Sequence, residues 1–229
     1  MTLDEYERAG KQLYEEFAKL VATLLSEEIA KRDEIKLQHV QHRPKGLKSL
    51  RDKLVKEKVV ADDPQIEAKI KDLAGCRLVF YTNTDVGRFR QSGLINDLFE
   101  IDWDRTKFHH PTDESSGQFR SDNIVIRLKE PMLFKADFAK FKGLTCEVQV
   151  QTALNHAWSE MEHDVYKKPV LKGFGAARMR SIEERMDKIM RDHLLPAGYE
   201  FQKIRDDFDR LAAGKQLFDQ DALRTLDAA

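Results

Sequence analysis

Polar and apolar side chains alternate along the sequence from residue 145 to residue 151. This alternation predicts a β-strand with one apolar face and one face that carries Glu147, Gln149 and Gln151. A solvated sheet face would explain the pattern. The floor of an active site is the less common explanation, and the Glu147 carboxylate could then hold a divalent cation, because hard cations prefer oxygen ligands.

A second acidic residue of interest is Asp72, which precedes Gly75 and a β-rich run at residues 76–81. We expect Asp72 to lie at the end of a helix that begins at Pro64. Alone it is an ordinary acid at a helix end. Brought together with Glu147, it could hold Mg²⁺ against the phosphates of a nucleotide, since Mg²⁺ binds through one or two carboxylates plus phosphate oxygens.

Five basic side chains cluster around the start of a predicted helix: Arg43, Lys45, Lys48, Arg51 and Lys53. Most runs of this kind are solvated charged faces. At a helix start, however, they can also bind phosphate, helped by the free N–H groups of the first turn. Lys45, Ser49 and Lys53 are spaced four residues apart, which places Ser49 and Lys53 on one face of the helix.

His156, Glu160 and His163 form a third set in a segment that we expect to be helical up to Pro169. Their spacing of four and three residues would allow a shared metal ion. Zinc sites usually have sharper His and Cys spacing. We therefore favour a polar helix that packs on the core through Trp158.

These residues must be positioned by a fold that contains both helices and strands. Periodicity predicts helices at residues 3–31, 47–59, 64–75, 84–99, 155–168, 174–195 and 198–213. It predicts strands at residues 76–81, 123–128 and 145–151, with a weak candidate at 100–103, and a loop at 109–117. The expected fold class is α/β or α+β, with helices flanking a mixed β-sheet.

Composition excludes several classes of protein. The 229 residues include 39 Lys and Arg against 40 Asp and Glu, which argues against a surface devoted to nucleic acid but permits a local basic site. No apolar run approaches the ~20 residues that span a bilayer, and the polar N-terminus does not resemble a signal peptide. Cys76 and Cys146 adjoin apolar runs, so we expect buried thiols and a reducing cytoplasm.

Four motifs, taken in order, resemble the synthetase domain of the RelA/SpoT alarmone synthetases. They are Arg43-x-Lys45-x-x-x-Ser49-x-x-x-Lys53, Asp72-Leu-Ala-Gly-Cys-Arg77, Glu147-Val-Gln-Val-Gln-Thr152, and the segment from His156 to Lys167. The resemblance covers about residues 38–168, and both the order and the spacing of the motifs fit. It implies an α+β fold with a nucleotidyltransferase-like mixed β-sheet, and transfer of pyrophosphate from ATP to a ribose 3′-hydroxyl.

The resemblance also implies roles for the residues that would bind ATP. Arg43 and Arg77 would sandwich the adenine, and Lys45, Ser49 and Lys53 would hold the phosphates.

Further roles concern the metal and the acceptor nucleotide. Asp72 and Glu147 would bind Mg²⁺, and Glu147 would also activate the attacking hydroxyl. The acceptor would be lined by Phe119, Gln149, His156 and Glu162.

The acceptor loop departs from the family pattern, which is approximately Asn-Gly-Tyr-x-Ser-x-His. Residues 117–123 are Gly-Gln-Phe-Arg-Ser-Asp-Asn, so Phe119 keeps an aromatic face for stacking while Asn123 replaces the His. Gln151 stands where Arg is usual. Because lost polar groups relax the choice of acceptor, three acceptors remain open. GDP or GTP, giving (p)ppGpp, comes first. The others are an adenosine nucleotide, giving (p)ppApp, and the 3′ end of tRNA, as in toxin relatives.

A non-enzymatic binding module is the remaining alternative, and the retained Asp72 and Glu147 argue against it. We expect three parts: an N-terminal helical segment at 1–41, the synthetase domain at 42–170 and a C-terminal helical extension at 171–229. ATP and a purine nucleotide are the expected partners, without a membrane. An antitoxin partner and assembly into a homo-oligomer are both compatible with the sequence.

Overall fold

A computed structural model describes residues 1–109, 121–166 and 176–217. Its centre is a mixed sheet of six strands in the order β1-β2-β6-β5-β3, with β4 also paired to β5. The strands are β1 (Leu37–Pro44), β2 (Ala74–Phe80), β3 (Phe99–Ile101), β4 (Lys107–His109), β5 (Ser121–Leu128) and β6 (Cys146–Thr152). Among the strands of the described residues, β2 and β6 run parallel, and the other pairs are antiparallel.

Helices precede, interrupt and follow the strands. They are α1 (Leu3–Glu5), α2 (Lys11–Ala30), α3 (Leu47–Lys56), α4 (Ile66–Lys69), α5 (Asn83–Gln91), α6 (Leu94–Leu98), α7 (Glu130–Leu133), α8 (Ala153–Tyr166), α9 (Ala176–Ile189) and α10 (Leu195–Ala212). Two π-helical turns, Tyr6–Gly10 and Met190–Leu194, join α1 to α2 and α9 to α10. None of the described helices is long and apolar enough to cross a membrane.

One face of the sheet is apolar and carries the hydrophobic core. Leu78 and Phe80 of β2 and Val148 of β6 are fully buried there. Phe17 of α2 belongs to the same core, and the ring of Phe89 on α5 lies 5.2 Å from that of Phe80. Burying these side chains against α2 and α5 supplies the main stabilisation of the sheet.

The opposite face is polar, because side chains alternate across each strand. Its central row crosses five strands in register: Gln41, Arg77, Gln149, Asn123 and Lys107. Helix α8 packs on this side against β2 and β6. The indole Nε1 of Trp158 on α8 donates a hydrogen bond to the Met186 carbonyl of α9 at 3.2 Å, which fastens α8 to the C-terminal helices.

The structure confirms the predicted fold class, a mixed sheet flanked by helices with helical segments at both ends. It also confirms that Cys76 and Cys146 are buried and free. Burial raises the pKa of the Cys76 thiol to about 12. The predicted strands at 76–81, 123–128 and 145–151 correspond to β2, β5 and β6.

Two strands were missing from the prediction. Residues 42–46 were expected to be a break, but β1 extends to Pro44 and contains Arg43. This strand lies at the edge of the sheet, where polar residues and a terminal proline are tolerated, so its apolar signal is weak. Lys107–His109 forms β4, whereas His109 was expected to begin a loop.

Two predicted helices were also wrong. Between residues 64 and 75 only Ile66–Lys69 is helical, so Asp72 lies in a turn before β2 rather than at a helix end. The helix expected at 84–99 is two helices separated at Gly93, whose φ of 70° lies in the left-handed region that interrupts a helix. Its cap is Thr82, not Thr84.

The C-terminal helices join without the break expected after Leu195. The π-helical turn at Met190–Leu194 leads directly into α10, whose first turn contains Pro196. Proline is tolerated in the first turn of an α-helix because the N–H groups of that turn have no carbonyl partner within the helix. The predicted helical residues 167–168 and 174–175 lie outside the described residues.

The N-terminal segment fixes the backbone at the end of β1. The buried Tyr6 hydroxyl donates a hydrogen bond to the Lys45 carbonyl at 2.7 Å. The Lys45 N–H in turn donates to the Leu73 carbonyl at 2.8 Å. The Lys45 backbone is therefore held from two sides.

We predict that Tyr6→Phe lowers the free energy of unfolding by about 1–3 kcal/mol, because a partly buried carbonyl loses its donor. Urea denaturation would measure the change. Tyr81→Phe is the matched control, since Tyr81 is 55% exposed and should change stability by less than about 0.5 kcal/mol. Equal destabilisation by both variants would contradict the prediction.

Candidate active site

A cleft of about 630 Å³ lies over the polar face of the sheet. Its lining residues come from β1, α3, the turn before β2, β2, β5, β6 and α8. They are Gln41, Arg43, Lys45, Gly46, Ser49, Asp72, Gly75, Cys76, Arg77, Asn123, Glu147, Gln149, Gln151, Ser159, Glu160, Glu162 and His163.

Two lysines converge on one carboxylate at the α3 end of the cleft. The Lys45 Nζ lies 2.6 Å from Asp72 Oδ2, and the Lys53 Nζ lies 2.7 Å from Asp72 Oδ1. Burial favours the neutral acid, but the two ammonium groups outweigh it and lower the pKa of Asp72. The Asp72 carboxylate is therefore ionised at neutral pH, and two cations compensate its charge.

Helix α3 brings Lys53 to this position. Leu50 and Leu54 are buried in the core, so the face that carries Ser49 and Lys53 turns towards the cleft. Gly46 lines the cleft at the N-terminal end of the helix. Free N–H groups at a helix N-terminus favour anions.

The second carboxylate is on the floor of the cleft. Glu147 of β6 is 7% exposed and forms an ion pair with Lys71, with 2.9 Å between Lys71 Nζ and Glu147 Oε1. The Gln149 side-chain amide donates to its other oxygen at 3.2 Å. The Lys71 ammonium is positioned by the Arg105 carbonyl at 3.1 Å. A third lysine thus compensates the charge of Glu147.

The cleft remains open between Arg43 and Glu147. Gly75 of β2 lies in register between these two residues, and it has no side chain to fill the floor. Arg43 itself is exposed at the rim of the cleft on β1. A ligand could therefore reach both residues.

The donor set fits a metal ion that arrives with a nucleotide better than a metal site made of protein alone. Among the described residues, no group of three or more His, Cys, Asp or Glu side chains could hold an ion. Asp72 and Glu147 both line the cleft, and Mg²⁺ needs only one or two carboxylates when phosphates supply the other oxygens. In the described part of the chain, His156, Glu160 and His163 therefore do not form the metal set that their spacing allowed.

His156 and Glu160 instead contact an arginine. The guanidinium of Arg77 donates to Gln149 Oε1 at 3.1 Å and to Glu160 Oε1 at 2.5 Å, and its Nη1 lies 3.3 Å from His156 Nδ1. Burial and the neighbouring Arg77 charge lower the pKa of His156, so its ring is neutral near pH 7. Gln151 approaches the same nitrogen at 3.1 Å.

The first residues of β5 border the cleft on the opposite side. Asn123 lies on the polar face, and the adjacent Asp122 points to the other face, where its side chain is fully buried. Arg90 of α5 binds both oxygens of this carboxylate, at 2.5 and 2.7 Å. This bidentate pair fixes the backbone that presents Asn123 to the cleft.

Most of the residues proposed from sequence meet in this cleft. Those that line it are Arg43, Lys45, Ser49, Asp72, Arg77, Glu147, Gln149 and Glu162. Lys53 and His156 contact lining residues without being among them. Phe119, proposed to stack on the acceptor, lies outside the described residues.

Sequence reasoning missed Lys71, Gln41 and Ser159. Lys71 adjoins Asp72, and its position next to a proposed metal ligand was the available signal. Gln41 was missed because β1 was not predicted. Ser159 lies on the cleft side of α8, one turn beyond His156, so helical spacing could have found it.

The fold is similar to those of several solved structures. The small alarmone synthetase 1 from Bacillus subtilis has a TM-score of 0.70 at 17% identity, over 90% of this chain and 98% of that chain. The same protein bound to its product pppGpp has a TM-score of 0.65 at 18% identity, over 90% of this chain and 98% of that chain. A GTP pyrophosphokinase family protein from Streptococcus pneumoniae has a TM-score of 0.66 at 20% identity, over 96% of this chain and 100% of that chain.

These similarities establish that the chain has the fold of small alarmone synthetases. The family model described as "Region found in RelA / SpoT proteins" matches residues 42–170. The chain therefore belongs to the RelA/SpoT family. No curated protein sequence matches it.

Proposed function

We propose that this chain transfers pyrophosphate from ATP to the ribose 3′-hydroxyl of a purine nucleotide, with GDP or GTP as the first choice of acceptor and (p)ppGpp as the product. As a member of its family, the chain is a transferase of the nucleotide pyrophosphokinase class. The proposal assigns the activity to residues 42–170, with residues 1–41 and 171–229 as helical flanks.

One observation carries the proposal: Lys45 and Lys53 converge on Asp72 at 2.6 and 2.7 Å, in the same cleft as Glu147. Two ammonium groups on one carboxylate leave an excess positive charge. Polyphosphate can take up this excess, and the Asp72 oxygens are then available to a cation that accompanies it.

The proposed reaction is an attack of the acceptor 3′-oxygen on the β-phosphorus of ATP. A bond forms between that oxygen and the β-phosphorus, the bond from the β-phosphorus to the oxygen that bridges it to the α-phosphorus breaks, and AMP leaves. Glu147 accepts the hydroxyl proton as general base. Lys45, Ser49 and Lys53 bind the phosphates and stabilise the charge that develops on them.

Asp72 and Glu147 would hold Mg²⁺ in this cleft. When bound, the ion would supply further charge neutralisation on the phosphates. The remaining contributions come from the chain itself: Arg43 and Arg77 would bind the adenine. Gln149, His156 and Glu162 would lie towards the acceptor with Phe119.

Solved relatives support a site for nucleotides. The small alarmone synthetase 1 from Bacillus subtilis has been determined with its product pppGpp and with AMPCPP. Both ligands are bound to that protein and not to this chain. The same fold and a matching family region make nucleotide substrates the strongest proposal for this chain as well.

Two other acceptors compete with the guanosine nucleotides. Asn123 and Gln151 are neutral amides where the family pattern has His and Arg, so contacts that select guanosine nucleotides could be weaker. An adenosine nucleotide giving (p)ppApp is therefore the second candidate. The 3′ end of tRNA is the third.

A panel of acceptors tests the proposal. Purified protein is incubated with Mg²⁺, ATP labelled in its β- and γ-phosphates, and one of GDP, GTP, ADP, AMP or bulk tRNA, and the products are separated by chromatography. We expect label in the guanosine nucleotides. Label only in adenosine nucleotides or only in tRNA would replace the acceptor, and no transfer to any acceptor would refute the proposed activity.

We predict that Asp72→Asn and Glu147→Gln each lower turnover by about a hundredfold to ten-thousandfold, since each removes a carboxylate from the proposed reaction centre. Turnover of the labelled ATP is the measurement, with circular dichroism as the test of folding. Asp52→Asn is the matched control because Asp52 is exposed on α3. Near-normal turnover in a folded Glu147→Gln protein would contradict the mechanism.

We also predict that donor binding depends on specific cations rather than on total charge. Arg43→Ala and Lys53→Ala should weaken AMPCPP binding about tenfold, because each removes a direct contact. Lys31→Ala removes the same charge from an exposed site after α2 and should change binding less than about twofold. Equal effects from all three variants, measured by calorimetry, would identify the cluster as a solvated face.

A further inference from the structure

The guanidinium of Arg77 is held at its edge by three neighbours. Gln149 Oε1 lies 3.1 Å from Nε, while Glu160 Oε1 and His156 Nδ1 lie 2.5 and 3.3 Å from Nη1. The N–H donors of a guanidinium lie in its plane. These contacts therefore fix the plane of the group and meet its edge rather than its two faces.

Only one of the three neighbours is charged. Arg77 and the Gln151 amide both approach Nδ1 of His156, and both are donors, so this nitrogen is an acceptor on a neutral ring. The ring of His39 is a further neighbour of that ring, with the ring centroids 5.4 Å apart. Gln149 is an amide, which leaves Glu160 as the charged member of the set.

Stability does not explain why Glu160 makes this contact. Its side chain is 58% exposed on α8, whereas that of Arg77 is 16% exposed. Ion pairs with an exposed partner contribute little to the free energy of folding, because water competes with the partner and the side chain loses freedom. What the contact does supply is a fixed direction for the guanidinium.

The cations at the two ends of the cleft also differ in kind. At one end two lysines face one carboxylate, Asp72, which leaves one excess positive charge. At the other end the Arg77 guanidinium pairs with Glu160, and the charge of Arg43 also acts on this carboxylate. Converging ammonium groups favour polyphosphate, whereas a planar guanidinium can stack on an uncharged aromatic base.

We infer that Glu160 is a positioning residue for the donor nucleotide, which holds the Arg77 guanidinium in the plane that stacks on the adenine ring. The inference rests on the function proposed above, since it takes the donor to be ATP with its base against Arg77. Glu160 acts through Arg77, and its effect should therefore be confined to ligands that carry a base.

Two ligands separate this role from a general effect of charge. Calorimetry with Mg²⁺ present measures the binding of AMPCPP, which has the adenine, and of inorganic tripolyphosphate, which lacks it. The proteins are the unmodified chain, Glu160→Ala, Glu160→Gln and Glu184→Ala. Glu184 is an exposed acid on α9, so its replacement is a matched control for the loss of one negative charge.

We expect Glu160→Ala to weaken AMPCPP binding about tenfold and to change tripolyphosphate binding less than about twofold. Glu160→Gln keeps an oxygen for Arg77 and should retain AMPCPP affinity within about threefold. Glu184→Ala should bind both ligands like the unmodified chain.

Other results would overturn the inference. If Glu160 acted only through its charge, Glu160→Ala would bind both ligands more tightly, because a negative charge has been removed near an anion. Equal weakening of both ligands would indicate a general disturbance of the cleft, and unchanged AMPCPP binding would leave Glu160 without a role. If the unmodified chain binds neither ligand, the proposed function itself fails, and the inference fails with it.

Discussion

The ion pairs of Asp72 with Lys45 and Lys53 are the constraint on which the site depends, because they join three separate segments of the chain. One lysine follows β1, the other lies on α3, and the carboxylate lies in the turn before β2. Each segment is anchored elsewhere: Tyr6 holds the Lys45 carbonyl, and buried Leu50 fixes α3. The charged groups therefore meet because apolar packing and backbone hydrogen bonds have already placed them, and their attraction alone need not assemble the site.

Because side chains alternate along each strand, one face of the sheet packs into the core and the other face is directed to the cleft. On β6, Cys146, Val148 and Val150 are buried in the core, and Glu147, Gln149 and Gln151 line the cleft. A row of five polar residues can cross the sheet only because β1, β2, β6, β5 and β4 pair in this register. A slip of one residue in any pair would exchange the two faces, so the hydrophobic core that stabilises the fold also fixes the geometry of the cleft.

The parts that the sequence predicts are those with a strong local pattern. The alternation around Glu147 predicts both β6 and its polar face, and the spacing from Lys45 to Lys53 predicts the shared face of α3. Strand β1 was not predicted, because an edge strand has little apolar signal. The structure has a turn at Asp72, where the end of a helix was expected. The partners of Arg77 and the ion pair of Glu147 with Lys71 depend on pairings between distant segments, which no local pattern encodes.

The two ends of the cleft constrain evolution differently. At the lysine end, loss of Asp72 would leave two partly buried ammonium groups without a counter-charge. At the β5 end, the residues that differ from the family pattern, Asn123 and Gln151, are neutral amides, and an amide can be exchanged without leaving a charge unpaired. Under the function proposed above, the chain would keep its donor site while the acceptor site changes by single substitutions, because the coupled charges lie in the proposed donor site.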